Sequence, residues 1–362
     1  MNQLNERVAE LLQRQRAFWH RDRVERPLLT AILYEPLAAM RVPVASECWQ
    51  GDNLRLTPEM LDPVAFADFE QGPTDPQALL RGDIFRVRAA FRRIPWLEAI
   101  LGCPIYADRV SGSIWSTPIL KSVEDGAALD IGDDNPWLAK LLAFTRELVA
   151  RYDGSYLATL TLMRGPIDLA RAVLGDEQMC LAIYDSPEAF RALLDAVSRV
   201  FIAVVAAQSA IIPPFEGGFM SPYGIWAPGK VVSTQADISA ILSACTYAEA
   251  VIPFEQQVCR PFPYSAIHLH SGFLHVVDAL LEAELPRAIE VALDTGSTPV
   301  TTRDLAPVFR RILERKPLLI HGHMTAAELD ELIAGLPPHG LHICAWLDEA
   351  DLASWRPPHV GT

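Results

Sequence analysis

The chain has no CxxC pair, no basic tract and no uninterrupted apolar run long enough to cross a bilayer. Its six cysteines, Cys48, Cys103, Cys180, Cys245, Cys259 and Cys344, are scattered along 362 residues. That pattern argues against a disulfide framework or a four-cysteine metal site and leaves most of them as reduced core thiols. Lysine and arginine number 31 against 45 aspartates and glutamates, a net charge of −14. With no Lys/Arg-rich run, nucleic acid and anionic membranes are poor partners. The longest apolar stretch, Val200–Ile212, is broken by Gln208 and Ser209 and falls short of the roughly 20 residues a span requires. The N-terminus carries charge throughout and places Leu4, Val8, Leu11, Leu12 and Phe18 at helical spacing, which reads as a helix and not a signal peptide. A soluble, cytoplasmic protein is the expectation. No repeat, low-complexity tract or linker marks a second domain.

What is present is an alternation of short apolar runs and helical patterns. From residue 154 onward, strands are expected at Tyr156–Met163, Ile211–Met220, Tyr264–His270, Ile289–Asp294, Pro317–Ile320 and Leu341–Trp346. Each is nearly continuous in apolar content, as a strand covered on both faces should be. Between them, Asp185 with Glu188 and Thr325 with Glu328 form capping-box patterns, and Pro187 sits in a first helical turn. The first 150 residues add Leu28–Tyr34, Pro104–Ala107 and Ser113–Thr117. The count approaches eight, so the expected fold is α/β: a single (β/α)8 barrel over residues 27–362, preceded by an N-terminal helical extension over 1–26. Residues 35–104, rich in Pro, Asp and Arg, read as an insertion or lid. The first 100 residues form either a lid or a dimer interface, so a homodimer is among the expected states.

In a parallel barrel, chemistry collects where strands end. Tyr264–His270 ends on His268 and His270, an i, i+2 pair on one strand face. The next strand ends on Asp294, the next on His321 and His323, and the last carries His342 and Cys344. Any one of these residues has an ordinary structural reading: a hydrogen-bonded histidine, a turn-forming aspartate, a small apolar thiol. Four successive strand ends carrying imidazole, carboxylate or thiol favour a metal site, and zinc suits such donors. At the same mouth, Arg164 offers a bidentate anion contact or a surface ion pair. Tyr223 and Trp226 offer an aromatic wall or plain packing, and Gln235 and Asp237 offer substrate contacts or a helix cap.

The runs RGPIDLARAVLGDEQMCLAIYDSPEAFRALLDAV (164–197), GIWAPGKVVSTQADISAILS (224–243), IHLHSG (267–272) and PLLIHGHMTAAELDEL (317–332) resemble the uroporphyrinogen decarboxylase-like superfamily over roughly residues 150–346. That superfamily includes metal-free decarboxylases, corrinoid-linked methylcobamide:thiol methyltransferases and cobalamin-independent methionine synthase. The methyltransferase branch implies a zinc ion on a His-x-Cys pair and a distant Cys. The first His falls on His268, the distant Cys on Cys344 (344 − 268 = 76), and the first Cys on His270, an imidazole in place of a thiolate. An acidic ligand about two dozen residues on falls on Asp294 (294 − 270 = 24). The resemblance implies a zinc-dependent methyl- or alkyl-transferase acting on a small thiol or anionic substrate, with a corrinoid methyl donor on a separate protein, His323 as proton carrier or a further metal ligand, Arg164 orienting an anionic group, and Asp237 beside the reacting groups. Exchanging thiolate for neutral nitrogen makes the metal a harder Lewis acid, so the acceptor stays open. Two alternatives remain: a metal-free decarboxylase, whose arginine-rich N-terminal motif is missing here, and a non-catalytic binding protein on the same barrel.

Overall fold

The computed structural model describes residues 2–34, 44, 48, 51–69, 76–294 and 300–356. Eight strand segments pair in parallel: β1 (Leu28–Leu33), β2 (Val87–Arg88), β3 (Leu157–Ala158), β4 (Val231–Gln235), β5 (Tyr264–His270), β6 (Ala288–Leu293), β7 (Leu318–His323) and β8 (Leu341–Leu347). Six form one sheet in the order β1-β8-β7-β6-β5-β4, and among the described residues β2 pairs only with β3. The fold is therefore α/β with a six-stranded parallel sheet, and the expected closed eight-stranded ladder is not found among the described residues. Single backbone bonds mark the two seams: Asp83 N–H donates to Leu29 at 2.9 Å, and Gly165 N–H to Gln235 at 2.8 Å. Of residues 159–163, expected as strand, the Thr159 N–H still reaches the Arg88 carbonyl of β2 at 2.9 Å, but the rest does not continue the ladder. The Thr161 N–H donates to the buried Gln208 side chain at 3.2 Å, so no neighbouring strand receives it.

Other expectations are corrected in the same way. Ile211–Met220 is strand only at Phe219–Met220, in a short antiparallel pair with Trp226–Ala227, because Pro213 and Pro214 remove two ladder donors. Pro104–Ala107 and Ser113–Thr117 correspond to Ile105–Asp108 and Ile114–Ser116, which join Asn53–Leu56 in a separate antiparallel sheet. Part of the expected lid, 35–104, lies outside the described residues. Its described part contributes Leu61, Phe66, Phe91, Trp96, Leu97 and Ile100 to the main core. Asp185 closes the helix Asp176–Asp185, which leaves Ser186 as the N-cap of the next helix, Pro187–Ser209. The Thr325 box forms as expected.

The sheet's two faces part the core. Outward residues such as Ile267, Leu269, Ile289, Val291, Ile320 and Ile343 meet the helices. Inward residues at the N-terminal strand ends (Leu28, Val231, Ala266, Ala288, Leu319) pack with Val8, Leu11, Phe18 and Trp19 of α1 (Asn2–His20). The Trp19 indole donates to the Trp226 carbonyl at 2.8 Å, and the buried Gln15 bridges Asp83 and Trp226 through its amide. Asp83 binds Arg14, Arg26 and the Leu29 N–H, and although burial opposes its charge, these partners hold its carboxyl below the usual range. Polar groups are left for the other end of the strands. Among the described residues no helix is long and apolar enough to cross a membrane.

Candidate metal centre

Alternate side chains of a strand share a face, so His268 and His270 leave β5 together while Ile267 and Leu269 stay in the helix-side core. Opposite His268, in register on β6, stands Glu290. Its carboxylate has no exposure and sits between two imidazoles, meeting His268 Nδ1 with one oxygen and His321 Nδ1 with the other. His270 Nδ1 meets Asp294 Oδ1 at 2.6 Å, and Asp294 Oδ2 accepts from the Gly272 N–H at 3.0 Å. Both Nδ1 atoms of the β5 pair are thereby engaged by carboxylates. Their Nε2 atoms face each other 3.3 Å apart.

Asp237 approaches from the loop after β4. Its Oδ2 accepts from the Gln235 amide, and its Oδ1 lies 3.7 Å from His270 Nε2, buried and without a hydrogen-bond partner among the described residues. Asp237, His268 and His270 each offer one ligand atom, all within 4.8 Å of one another. For tetrahedral zinc with bonds of about 2.0–2.1 Å, the edge between two nitrogen ligands is about 3.3–3.4 Å. The observed gap between the imidazoles matches that edge.

If each Nδ1 donates its proton to a carboxylate, both Nε2 atoms present lone pairs to each other, an arrangement that a shared cation relieves. Burial would lower the His268 pKa, but Glu290, Asp237 and Asp168 outweigh it and hold the ring up to about 9, so at neutral pH His268 Nε2 keeps a proton that a metal ion would displace. Burial likewise disfavours charge on Glu290, yet His321 and His268 keep its carboxyl well below the usual range. Beneath the loop, burial and the Asp237 charge push Asp168 up to about 7.

The other expected residues are placed as follows. Cys344 faces inward on β8, in register with His321 and Thr30. Burial pushes its thiol up to about 12, and it stands outside the Asp237, His268 and His270 group. Asp294 meets the back of His270 and not the gap. His323 Nε2 contacts Asp348 at 3.2 Å, with its ring against Tyr34. Arg164 pairs with the buried Glu98 carboxylate at 2.8 Å. Tyr223 lies 6.2 Å, ring to ring, from His321, and burial together with the Glu290 charge raises its hydroxyl pKa. Trp226 belongs to the cluster closed by α1, at the apolar strand ends. Gln235 ends β4 opposite His268.

No family model and no curated protein matches the sequence. Among solved structures, a methyltransferase from Methanosarcina mazei superposes with a TM-score of 0.60 at 13% identity, over 94% of this chain and 94% of that one. The likeness is one of fold. A B12-independent methionine synthase from Shewanella, in complex with selenomethionine, gives a TM-score of 0.38 at 11% identity over 67% of this chain and 64% of that one.

Two groups in this arrangement escaped the sequence reading. Glu290 is a lone charge within the apolar run AIEVALD, and that incongruity was its signal. Asp168 is the one acid in the buried helix α2 (Pro166–Leu174), where an apolar residue would be the default.

Proposed function

We propose that this chain is a methyl- or alkyl-transferase of the uroporphyrinogen decarboxylase-like superfamily, with a zinc ion held by Asp237, His268 and His270. The observation that carries the reading is the 3.3 Å gap between two Nε2 atoms whose rings are each fixed from behind by a carboxylate. Such carboxylate–histidine–metal arrangements set the tautomer and raise ligand basicity. The unpartnered Asp237 Oδ1 supplies the third donor, and three protein ligands leave a fourth position for substrate. This donor set takes Asp237 in place of Cys344 and gives Asp294 an orienting role.

Bound there, zinc lowers the pKa of a coordinated nucleophile and stabilises its anion. The chain's own groups do the rest. Glu290 fixes His268 and His321 together, and His321, one-fifth exposed with its ring centroid 6.1 Å from that of His268, is placed to take the proton the nucleophile gives up. The proposed acceptor is a small thiol and the proposed donor a corrinoid-bound methyl group on a separate protein. The fold likeness to a methyltransferase supports transfer. Against the metal-free lyase reading, Arg164 is committed to Glu98.

Elemental analysis and competition with a chromophoric chelator test the centre. Freshly purified protein is expected to carry near-stoichiometric zinc and His270→Ala to lose it. A His270→Ala variant with a full complement of metal sinks the assignment, and an active but metal-free wild type supports the lyase.

A further inference from the structure

Asp237 differs from its partner ligands in one respect. His268 and His270 sit on a strand held by ladders on both sides, whereas Asp237 opens a short 3-10 helix, Asp237–Ile241, in a connecting loop. A ligand on a loop loses affinity unless its surroundings lock it. The usual local lock is an N-cap side chain from Ser, Thr, Asp or Asn, and here the N-cap is Ala236, which supplies none.

The cap arrives from another element instead. Asp168, in the first turn of α2 and only 3% exposed, accepts the Asp237 N–H with Oδ2 at 3.0 Å and the Ile238 N–H with Oδ1 at 2.8 Å. Burying a carboxylate is costly unless its bonds repay the lost hydration, so this is an expensive way to cap five residues. The start of α2 is itself pressed onto the end of β4. A Cβ on Gly165 would lie 2.3 Å from Thr234 Oγ1 and 2.5 Å from the Gln235 carbonyl, so only glycine permits the approach that lets its N–H reach Gln235. With the backbone held by Asp168 and Oδ2 engaged by Gln235, the free oxygen of Asp237 is left facing His270.

We propose that Asp168, seated by Gly165, is a positioning residue that pre-forms the metal centre by fixing Asp237 from behind. The inference rests on the zinc reading above and extends it to a group that touches no ligand atom of the site.

Zinc chloride titrated into the full-length protein against a chromophoric chelator is the test. In Asp168→Asn, one carboxylate oxygen becomes an amide donor aimed at a backbone donor. Its zinc dissociation constant is expected to rise roughly 10–100-fold, as for other groups that orient metal ligands, while far-ultraviolet circular dichroism stays that of the wild type. In an Asp237→Ala background the same substitution should change affinity by no more than about twofold, because its effect runs through Asp237. An unchanged affinity in Asp168→Asn, or an equal loss in both backgrounds, overturns the proposal. Amide exchange in the wild type reads the same point without any variant. The Asp237 and Ile238 amides should be protected in metal-free protein, and protection that appears only with zinc shows the metal, not Asp168, ordering the loop. If the wild type binds no zinc, the metal reading itself fails. Failure confined to the Asp168 measurements leaves that reading standing.

Discussion

The same strands carry two kinds of interior. At their N-terminal ends the inward residues are Leu28, Val231, Ala266, Ala288 and Leu319, sealed by α1. Two positions further along each strand, the inward residues are Thr30, Ser233, His268, Glu290 and His321. Alternation along the strand is kept throughout; only the chemistry changes with depth, over about 7 Å at the rise of a strand. The apolar layer lowers the free energy of the fold. The polar layer raises it unless its groups find partners: His268 and His321 share Glu290, Thr30 reaches the Arg81 carbonyl, and the Ser233 hydroxyl has no partner among the described residues. Stability and metal binding should therefore respond to different substitutions.

The largest expected effect comes from the apolar layer. Trp19→Ala removes a buried indole and its bond to the Trp226 carbonyl, which should cost about 3–5 kcal/mol of unfolding free energy. Urea melts would show it, and the folded fraction should bind zinc as the wild type does. If affinity falls in step with stability, the two layers are one unit.

His342 sharpens the boundary between them. It lies in register with Leu28 and Leu319, at the level of the apolar layer, and both of its ring nitrogens lack a partner among the described residues. Burial holds its pKa down to about 4, against an ordinary 6.5. Between those values the unfolded chain binds the proton and the folded chain does not, so stability is full above pH 6.5 and is lost as pH falls toward 4. The loss should reach about 3 kcal/mol. Urea melts across that window should show the slope, and His342→Leu should flatten it. An unchanged slope in the variant assigns the acid sensitivity to another group.

Glu290→Gln breaks the polar layer while keeping its shape. The amide cannot serve both imidazoles as a charged acceptor, so zinc affinity should fall roughly 10–100-fold. Asp294→Asn should cost less, because the Asp294 side chain is 36% exposed and water can stand in for it. Chelator competition on both variants ranks them, and equal losses would deny Glu290 its special place.

This layering explains what was legible in the sequence. β5 was visible to the residue and β6–β8 to within a few, because their outward faces are mostly apolar and the helix after β7 is capped. The histidine pair followed from strand periodicity alone. β4 was missed because its polar residues Ser233, Thr234 and Gln235, buried or half-buried, look like loop in a linear reading. Asp237 was singled out, but its approach to His270 depends on Asp168, 69 residues earlier. Contacts at that separation leave no local pattern. Cys344 was drawn in by spacing and family resemblance, yet spacing does not say how far apart β5 and β8 lie in the sheet.

The smallest effect tests whether closeness in sequence to the polar layer means membership in it. Thr325 lies two residues past His323, where β7 gives way to α3 (Ala326–Gly335), and its side chain completes a capping box with Glu328. Thr325→Ala deletes an acceptor for the Glu328 N–H, at 3.2 Å, and a donor to its carboxylate, at 2.9 Å. Loss of such a cap costs about 1 kcal/mol. No residue of that box contacts Asp237, His268, His270 or the carboxylates behind them, and the site is built from β5, β6 and the loop after β4. A small drop in thermal midpoint with zinc affinity intact is the expected result. A matching loss of zinc would mean that the β7 end, with His321 and His323, holds the centre more directly than the 3.3 Å imidazole pair implies.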